Sequence, residues 1–406
     1  MPESSPFKAY GYRWIVLLAF VFIAAMTQVL WITFAPITSL AVAQYHVSDL
    51  MVGLLSMSFM IVYILLVIPA AWAIDTWGFR TAVSIGALLT GVFGLTRGLF
   101  GNNFGIVFAS QIGIAVGQPF VIGAITKLVA CWFPRQERGT ATGLGTLALY
   151  LGPLLAMLLT PGLAAAHQLK GMLIIYGVAA MAAAVVFLIF AREKPPTPVC
   201  PPDQAVRTLM FDGLKTMLRQ RDFILLLVIF FIGLGMFNAL STWIEDIIRP
   251  RGFLPGQAGT LGGLMLIAGI VGAASLPIFS DKLRRRKPFV ILALAGLVPG
   301  LVGLTFAPSY WLLLVSGAIF GFFLLSAGPI GFQYGAEMTL PAPEGTSNSM
   351  LLVAGQVSGI IFIFGMDALK SRTSGSMTLP LLILVGLTIL SIALATLLKE
   401  SPISRS

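Results

Sequence analysis

The sequence predicts an all-α membrane protein of twelve transmembrane helices in two pseudo-symmetric six-helix bundles, and three observations predict it. The first is composition: 58% of the 406 residues are hydrophobic and 10% are charged, against roughly 25% charged in a soluble domain. The second is spacing. Apolar runs of about 20 residues, long enough to cross roughly 30 Å of hydrocarbon as helix, recur along the whole chain. The third is an internal echo. Asp75-Thr-Trp-Gly78-Phe-Arg80 closes one apolar run and opens the next, and Asp281-Lys-Leu-Arg284-Arg285-Arg286-Lys287 does the same 206 residues later. Pro134, Glu137, Gly139 and Thr140 return as Pro341, Glu344, Gly345 and Thr346, offset by 206 or 207. A duplicated hydrophobic chain with charged turns at matching places is the pattern of a two-halved membrane carrier.

The elements follow in order. Helix 1 is expected near 13–40: the run from Trp14 is too long for a signal peptide and lacks a small-residue cleavage pattern, so it is read as uncleaved. Helices 2 and 3, near 49–73 and 80–100, flank a turn in which Gly78 permits a tight reversal between Asp75 and Arg80. Helix 4, near 104–128, carries Gln118-Pro119, where proline frees a carbonyl and bends the helix. Helices 5 and 6 are placed near 139–163 and 170–191. The prolines after Lys194 then forbid a continuous helix, while Phe211, Leu214, Met217 and Leu218 allow a short amphipathic one at the membrane surface. Six further helices are expected near 222–246, 258–279, 288–306, 310–334, 346–368 and 377–398. The domains are thus residues 1–191, a cytoplasmic linker 192–221, and residues 222–406.

The net charge of +10 is topological. With the N-terminus cytoplasmic, 19 of the 25 Lys and Arg fall on the inner side, which places both termini in the cytoplasm of a plasma-membrane protein. No nucleic-acid partner is expected, and the chain is read as a monomer whose partners are the bilayer and a small-molecule solute. Cys131 and Cys200 offer neither metal-ligand spacing nor a disulfide, and His46 and His167 lie in different outer loops. No cofactor, metal or catalytic residue is expected, which argues against an enzyme.

Polar side chains at mid-depth are costly and so are candidates for function. These are Gln28 and Trp31 in helix 1, Gln118 in helix 4, Asn238 in helix 7, Ser326 in helix 10 and Gln356 in helix 11. Each alone also suits a plain helix-to-helix hydrogen bond or an interfacial belt. Asp49, Glu245, Asp246, Glu337 and Asp367 sit near helix ends, so a mid-depth proton relay is not expected. A cation cargo would instead be held by ring faces and neutral oxygens, with Trp31, Phe34 and Phe237 suited to it. An anionic cargo would want an arginine at mid-depth; Arg97, the nearest, lies towards the outer end of helix 3.

The charged turns resemble the inner loops of the major facilitator superfamily, and Trp132-Phe133-Pro134-Arg135-Gln136-Glu137-Arg138-Gly139 resembles its entry into helix 5. The match is relaxed: Ala71 stands where a glycine is expected and Thr81 where a second base often follows. Gly152-Pro153 is similar to the antiporter signature, but Leu155-Ala156 replaces the double glycine. The resemblance implies alternating access, gated by the charged groups Asp75, Arg80, Glu137, Arg138, Asp281, Arg284, Glu337 and Glu344.

A closer resemblance rests on the segment from Gly321-Phe322-Phe323 through Pro329, Gly331, Glu337-Met-Thr339-Leu-Pro341 and Glu344-Gly345-Thr346-Ser347 to Gln356 and Gly359-Ile360. It is similar to helices 10 and 11 of the feline leukaemia virus subgroup C receptor family, carriers associated with choline, ethanolamine and haem. There a helix 1 tryptophan and a helix 7 aromatic enclose a quaternary amine, and glutamines of helices 4 and 11 line the site. The matching positions are Trp31, Gln118 and Gln356, while Asn238 replaces the helix 7 tyrosine. The expectation is a facilitative or potential-driven carrier of a small cation or amino alcohol. The alternatives are a proton-coupled metabolite or drug antiporter and a receptor without flux.

Overall fold

The computed structural model describes residues 9–197, 199, 217–339 and 344–401, the side chains of 344–346 excepted; these residues form helices and turns, with no strand among them. The chain divides into two compact units, Met1–Ala205 and Val206–Ser406. The first contains α1 (Tyr12–Ile32), α2 (Thr38–Tyr45), α3 (Asp49–Trp77), α4 (Phe79–Leu99), α5 (Phe104–Ile122), α6 (Ile125–Trp132) and α7 (Arg138–Phe190). The second contains α8 (Arg221–Thr242), α9 (Ile244–Ile248), α10 (Pro255–Lys282), α11 (Lys287–Phe306), α12 (Tyr310–Met338), α13 (Glu344–Ala368) and α14 (Thr378–Thr396). Eleven helical stretches among the described residues are long and apolar enough to cross a membrane. One of them, 56 residues long, is interrupted at Gln168, whose φ of 59° is not helical. It therefore makes two crossings, and the described residues supply twelve.

Helix 1 was expected to run unbroken to residue 40, yet α1 stops at Ile32 and a 3₁₀ turn, Ala35–Ile37, separates it from α2. Pro36 is the cause, since it has no N–H to continue the ladder and its ring disfavours helix before it. The span expected at 222–246 likewise breaks, at Trp243 (φ −97°, ψ 19°), which follows Pro36 by 207 residues. Helix 4 divides at Gly123 and Ala124.

The duplication is visible in the caps. Asn103 Oδ1 accepts from Ile106 N at 3.1 Å, opening α5, and Ser309 Oγ accepts from Leu312 N at 3.4 Å, opening α12, 206 residues on. Ser48 caps α3 in the same way; 206 residues later, Leu254 N donates instead to Gln257 Oε1 at 2.9 Å. Each cap satisfies N–H groups that the first turn of a helix leaves unpaired.

A second matched pair closes the basic end of each unit. The Glu193 carboxylate accepts from Phe79 N (3.2 Å) and Arg80 N (2.7 Å), capping α4 from 114 and 113 residues away. Glu400 accepts from Arg286 N (2.7 Å) and Lys287 N (3.1 Å), capping α11 from the same two separations, 114 and 113. An anion at a helix N-terminus also meets the positive end of the helix dipole. Gly78, at φ 87°, adopts the left-handed turn that brings α4 to Glu193, and a side chain there would strike that carboxylate. Within the first unit α4 packs on α5 and α7, and α1 on α5 and α7. In the second, α10 and α11 pack on α12, and α8 on α13.

Candidate functional site

The break after α1 explains how Trp31 is held. Helix termination frees the last carbonyls of α1, and α3 takes up one of them: Ser56 Oγ donates to Trp31 O at 3.4 Å while Trp31 Nε1 donates to Ser56 O at 3.2 Å. The indole is buried and fixed against α3 by this reciprocal pair. One turn earlier, Gln28 is buried with its Nε2 making no hydrogen bond to any described residue. Gly152 lets α7 seat against α1 here, because a methyl group at Gly152 would meet Ala25 O and Gln28 Cβ. Gln118 is buried on α5, which packs on α1. Phe34, suited by sequence to face a cation cargo, is fully buried beneath the Arg97 guanidinium, 5.6 Å from its ring centre. Its ring is engaged by the protein's own cation.

In the second unit Asn238 Nδ2 donates to Gly355 O at 3.2 Å, tying α8 to α13 at the residue before Gln356. Because a carbonyl can only accept, this bond fixes which way the amide faces and leaves Asn238 Oδ1 as an acceptor. Ser241, one turn on, is buried with its hydroxyl unpartnered among the described residues. Gln356 is half-buried. Ser326 donates to Phe323 O of its own helix at 2.8 Å and so is spent structurally. The structure thus places Trp31 and Gln118 on packed helices of one unit, and joins Asn238 to the backbone beside Gln356 in the other.

Glu245 and Asp246 follow directly on the break at Trp243 and are buried. Asp246 Oδ1 receives Lys370 Nζ at 2.7 Å and Arg249 Nη2 at 2.8 Å. Sequence reading placed both near a helix end without signalling that they would be buried.

At the basic ends the gating candidates divide. Asp75 is exposed and meets Lys127 at 3.4 Å. Arg80 extends an exposed side chain, and its backbone N–H is the group that Glu193 binds. Glu137 takes Arg13 bidentately, at 2.9 and 3.1 Å. Arg138 donates to Phe133 O and Ala130 O at the end of α6. In the second unit the central base is Arg286, two residues beyond the predicted Arg284, which is exposed at φ 51°. Arg286 is 6% exposed; it pairs with Asp281 and forks onto Glu337, its Nη2 lying 2.9 Å from Oε1. Ser401 Oγ donates to the other Glu337 oxygen at 2.5 Å. Burial alone would lower the Arg286 pKa, but its bonds to Glu337 and Asp281 outweigh that and raise it. Four consecutive bases gave sequence reading no means of choosing among them, since burial is a tertiary property. The Glu344 side chain lies outside the described residues.

The fold and these charged turns define a transporter class, and comparison with known proteins agrees. Residues 16–363 match the Major Facilitator Superfamily, and the chain belongs to it. It is 30% identical over 383 residues to the choline/ethanolamine transporter FLVCR2 of Rattus norvegicus, covering 89% of this chain and 70% of the relative. It is 29% identical over 381 residues to solute carrier family 49 member A3 of Xenopus tropicalis, covering 89% and 78%. With them it falls in the feline leukaemia virus subgroup C receptor family. The crystal structure of a bacterial homologue of the human lysosomal transporter Spinster, inward-facing and unoccupied, matches with a TM-score of 0.79 at 16% identity over 98% of both chains. That likeness establishes the fold. The chain is an integral, multi-pass membrane transporter of the superfamily.

Proposed function

We propose that this transporter carries a small organic cation or amino alcohol, with choline and ethanolamine as the leading candidates, by facilitative or potential-driven alternating access across the plasma membrane, as a monomer with both termini cytoplasmic and without a nucleic-acid partner. The observation that carries the reading is an aromatic ring held in place with neutral polar groups in each unit: in the first, Trp31 is fixed on Ser56, with Gln28 Nε2 unpartnered among the described residues and Gln118 buried on α5; in the second, Asn238 keeps its oxygen as an acceptor and the Ser241 hydroxyl is unpartnered among the described residues. A desolvated ammonium is stabilised by a ring face by about 0.5–2 kcal/mol, and neutral acceptors complete its shell without a counter-charge. The names of the FLVCR2 relatives support the same cargo. Asp75, Arg80, Glu137, Arg138, Asp281, Arg284, Glu337 and Glu344 are proposed as gating charges on this reading. Arg286, the base that binds Asp281 and Glu337, joins them.

The test is time-dependent uptake of labelled choline and ethanolamine into sealed proteoliposomes. Saturable uptake is expected, and Trp31→Ala should weaken binding by roughly 1–2 kcal/mol through loss of the ring face. Absence of uptake of both amines, in vesicles whose integrity and protein insertion are verified, would sink the assignment. A second reading, proton-coupled antiport, is favoured by the buried carboxylates Glu245 and Asp246. It predicts instead that collapse of the pH gradient at clamped voltage stops transport.

A further inference from the structure

Arg97 is completely buried in α4, and none of its contacts among the described residues is a carboxylate. Its Nη1 donates to Leu30 O at 3.1 Å and to Gln111 Oε1 at 2.6 Å, and its Nη2 reaches Thr33 Oγ1 at 3.4 Å. Gln111, also fully buried, donates its own Nε2 to the same Leu30 O at 3.0 Å. The guanidinium covers Phe34, two residues beyond the end of α1. The contacts with Leu30, Thr33 and Phe34 converge on the residues where α1 unwinds. The charge is offset by two helix C-termini, that of α1 through Leu30 O and that of α4, in whose last turn Arg97 stands.

Among the described residues, the second unit has no counterpart of this contact at the same place. Arg251, which follows α9, donates to Leu304 O at 2.5 Å and to Ala307 O at 3.2 Å at the end of α11, and the residue 206 positions before it, Tyr45 at the end of α2, donates in the matching way to Gly101 O at 2.6 Å. The contact of Arg97 with Leu30 O lies instead at the break after α1.

We infer that Arg97, together with Gln111, is a positioning residue for Trp31. It fastens the broken end of α1 at Leu30, the residue before the tryptophan, so that the indole stays seated on Ser56 with one face in a fixed place. This rests on the proposed role of Trp31 in binding cargo, and its test is built to separate the two.

The full-length protein in lipid nanodiscs, labelled with 5-fluorotryptophan, gives a fluorine resonance for each of its seven tryptophans. Trp31→Phe identifies the line of Trp31. Arg97→Met and Gln111→Glu are then compared with the parent; the second keeps a partner for Arg97 while removing the donor to Leu30 O, and so guards against a failure of Arg97→Met to fold. The expected result is a Trp31 line that shifts or splits in both variants while the other six stay in place, with choline and ethanolamine affinity falling roughly tenfold. Arg97→Lys, which keeps the charge but has no planar fork, should restore the line only in part. A Trp31 line unchanged in Gln111→Glu, or a displaced line with amine affinity intact, would overturn the inference. If neither amine perturbs the Trp31 line of the parent protein, the cargo reading fails while the variant spectra still decide whether Arg97 positions the indole.

Discussion

Single residues carry the chemistry here, and two of them can be set against each other. Arg286 holds Glu337 inside the basic end of the second unit, where both are less than a tenth exposed. Removing the cation alone leaves a buried carboxylate whose remaining side-chain donor among the described residues is Ser401. Arg286→Met should therefore lower stability by about 3 kcal/mol, whereas the double variant with Glu337→Leu should recover most of it; thermal unfolding in lipid nanodiscs measures both. Asn238 makes the opposite kind of prediction, about selectivity. As found, its amide N–H is spent on Gly355 O and its oxygen remains an acceptor, which suits a cargo bearing N–H groups better than a quaternary amine. Asn238→Tyr replaces that acceptor with a ring and should shift preference towards choline over ethanolamine, read as the ratio of competition constants in an uptake assay. Equal weakening of both amines would show that position 238 does not face the cargo. Trp31, Gln118, Asn238 and Gln356 could be singled out as candidates because polar groups at mid-depth stand out against an apolar background. Their commitments were not. Sequence cannot say that Phe34 lies under Arg97 or that Asn238 donates to a backbone carbonyl, since both follow from which helix packs on which.

Elements were read well in number and poorly in continuity. Twelve apolar runs translate into twelve crossings, since hydrocarbon thickness fixes their length. The interruptions at Thr33–Ile37, Gly123–Ala124 and Trp243 were missed, although Pro36 is a plain signal for the first. At Trp243 there is no proline, and the turn is held by tertiary contacts such as Trp243 Nε1 donating to Ile363 O at 3.2 Å. Helix starts tell a similar story, because the anion that caps α4 or α11 lies more than a hundred residues from it. Replacing Glu193 or Glu400 by Gln removes the charge and keeps one acceptor. Each change should cost about 1 kcal/mol and raise hydrogen exchange at residues 79–82 or 286–290 respectively, each in its own unit only. Exchange rising in both units from one substitution would show that the caps are not local.

For the molecule as a whole, the distribution of charge bears on what drives transport. The acidic groups described on the helices gather at their ends, where Asp246 meets Lys370 and Arg249 and Glu337 meets Arg286. If cargo moves as a bare cation, uptake should persist when the pH gradient is collapsed and should respond to voltage, at roughly 2.3 kcal/mol per charge per 100 mV. Flux measured at clamped potentials of opposite sign checks this, and indifference to voltage would exclude a charged cargo moving without a compensating ion.

The paired glutamates also set a timetable. Because Glu193 follows Arg80 by 113 residues and Glu400 follows Lys287 by the same interval, the third and ninth crossings each leave the ribosome with bare N-terminal amides and wait for a residue made only after three more crossings have been threaded. Each bundle is thus finished by the chain that leaves it, and the first can be sealed before the second has begun to emerge. A chaperone or quality-control factor that surveys the membrane surface would meet an open helix end for as long as either bundle is incomplete.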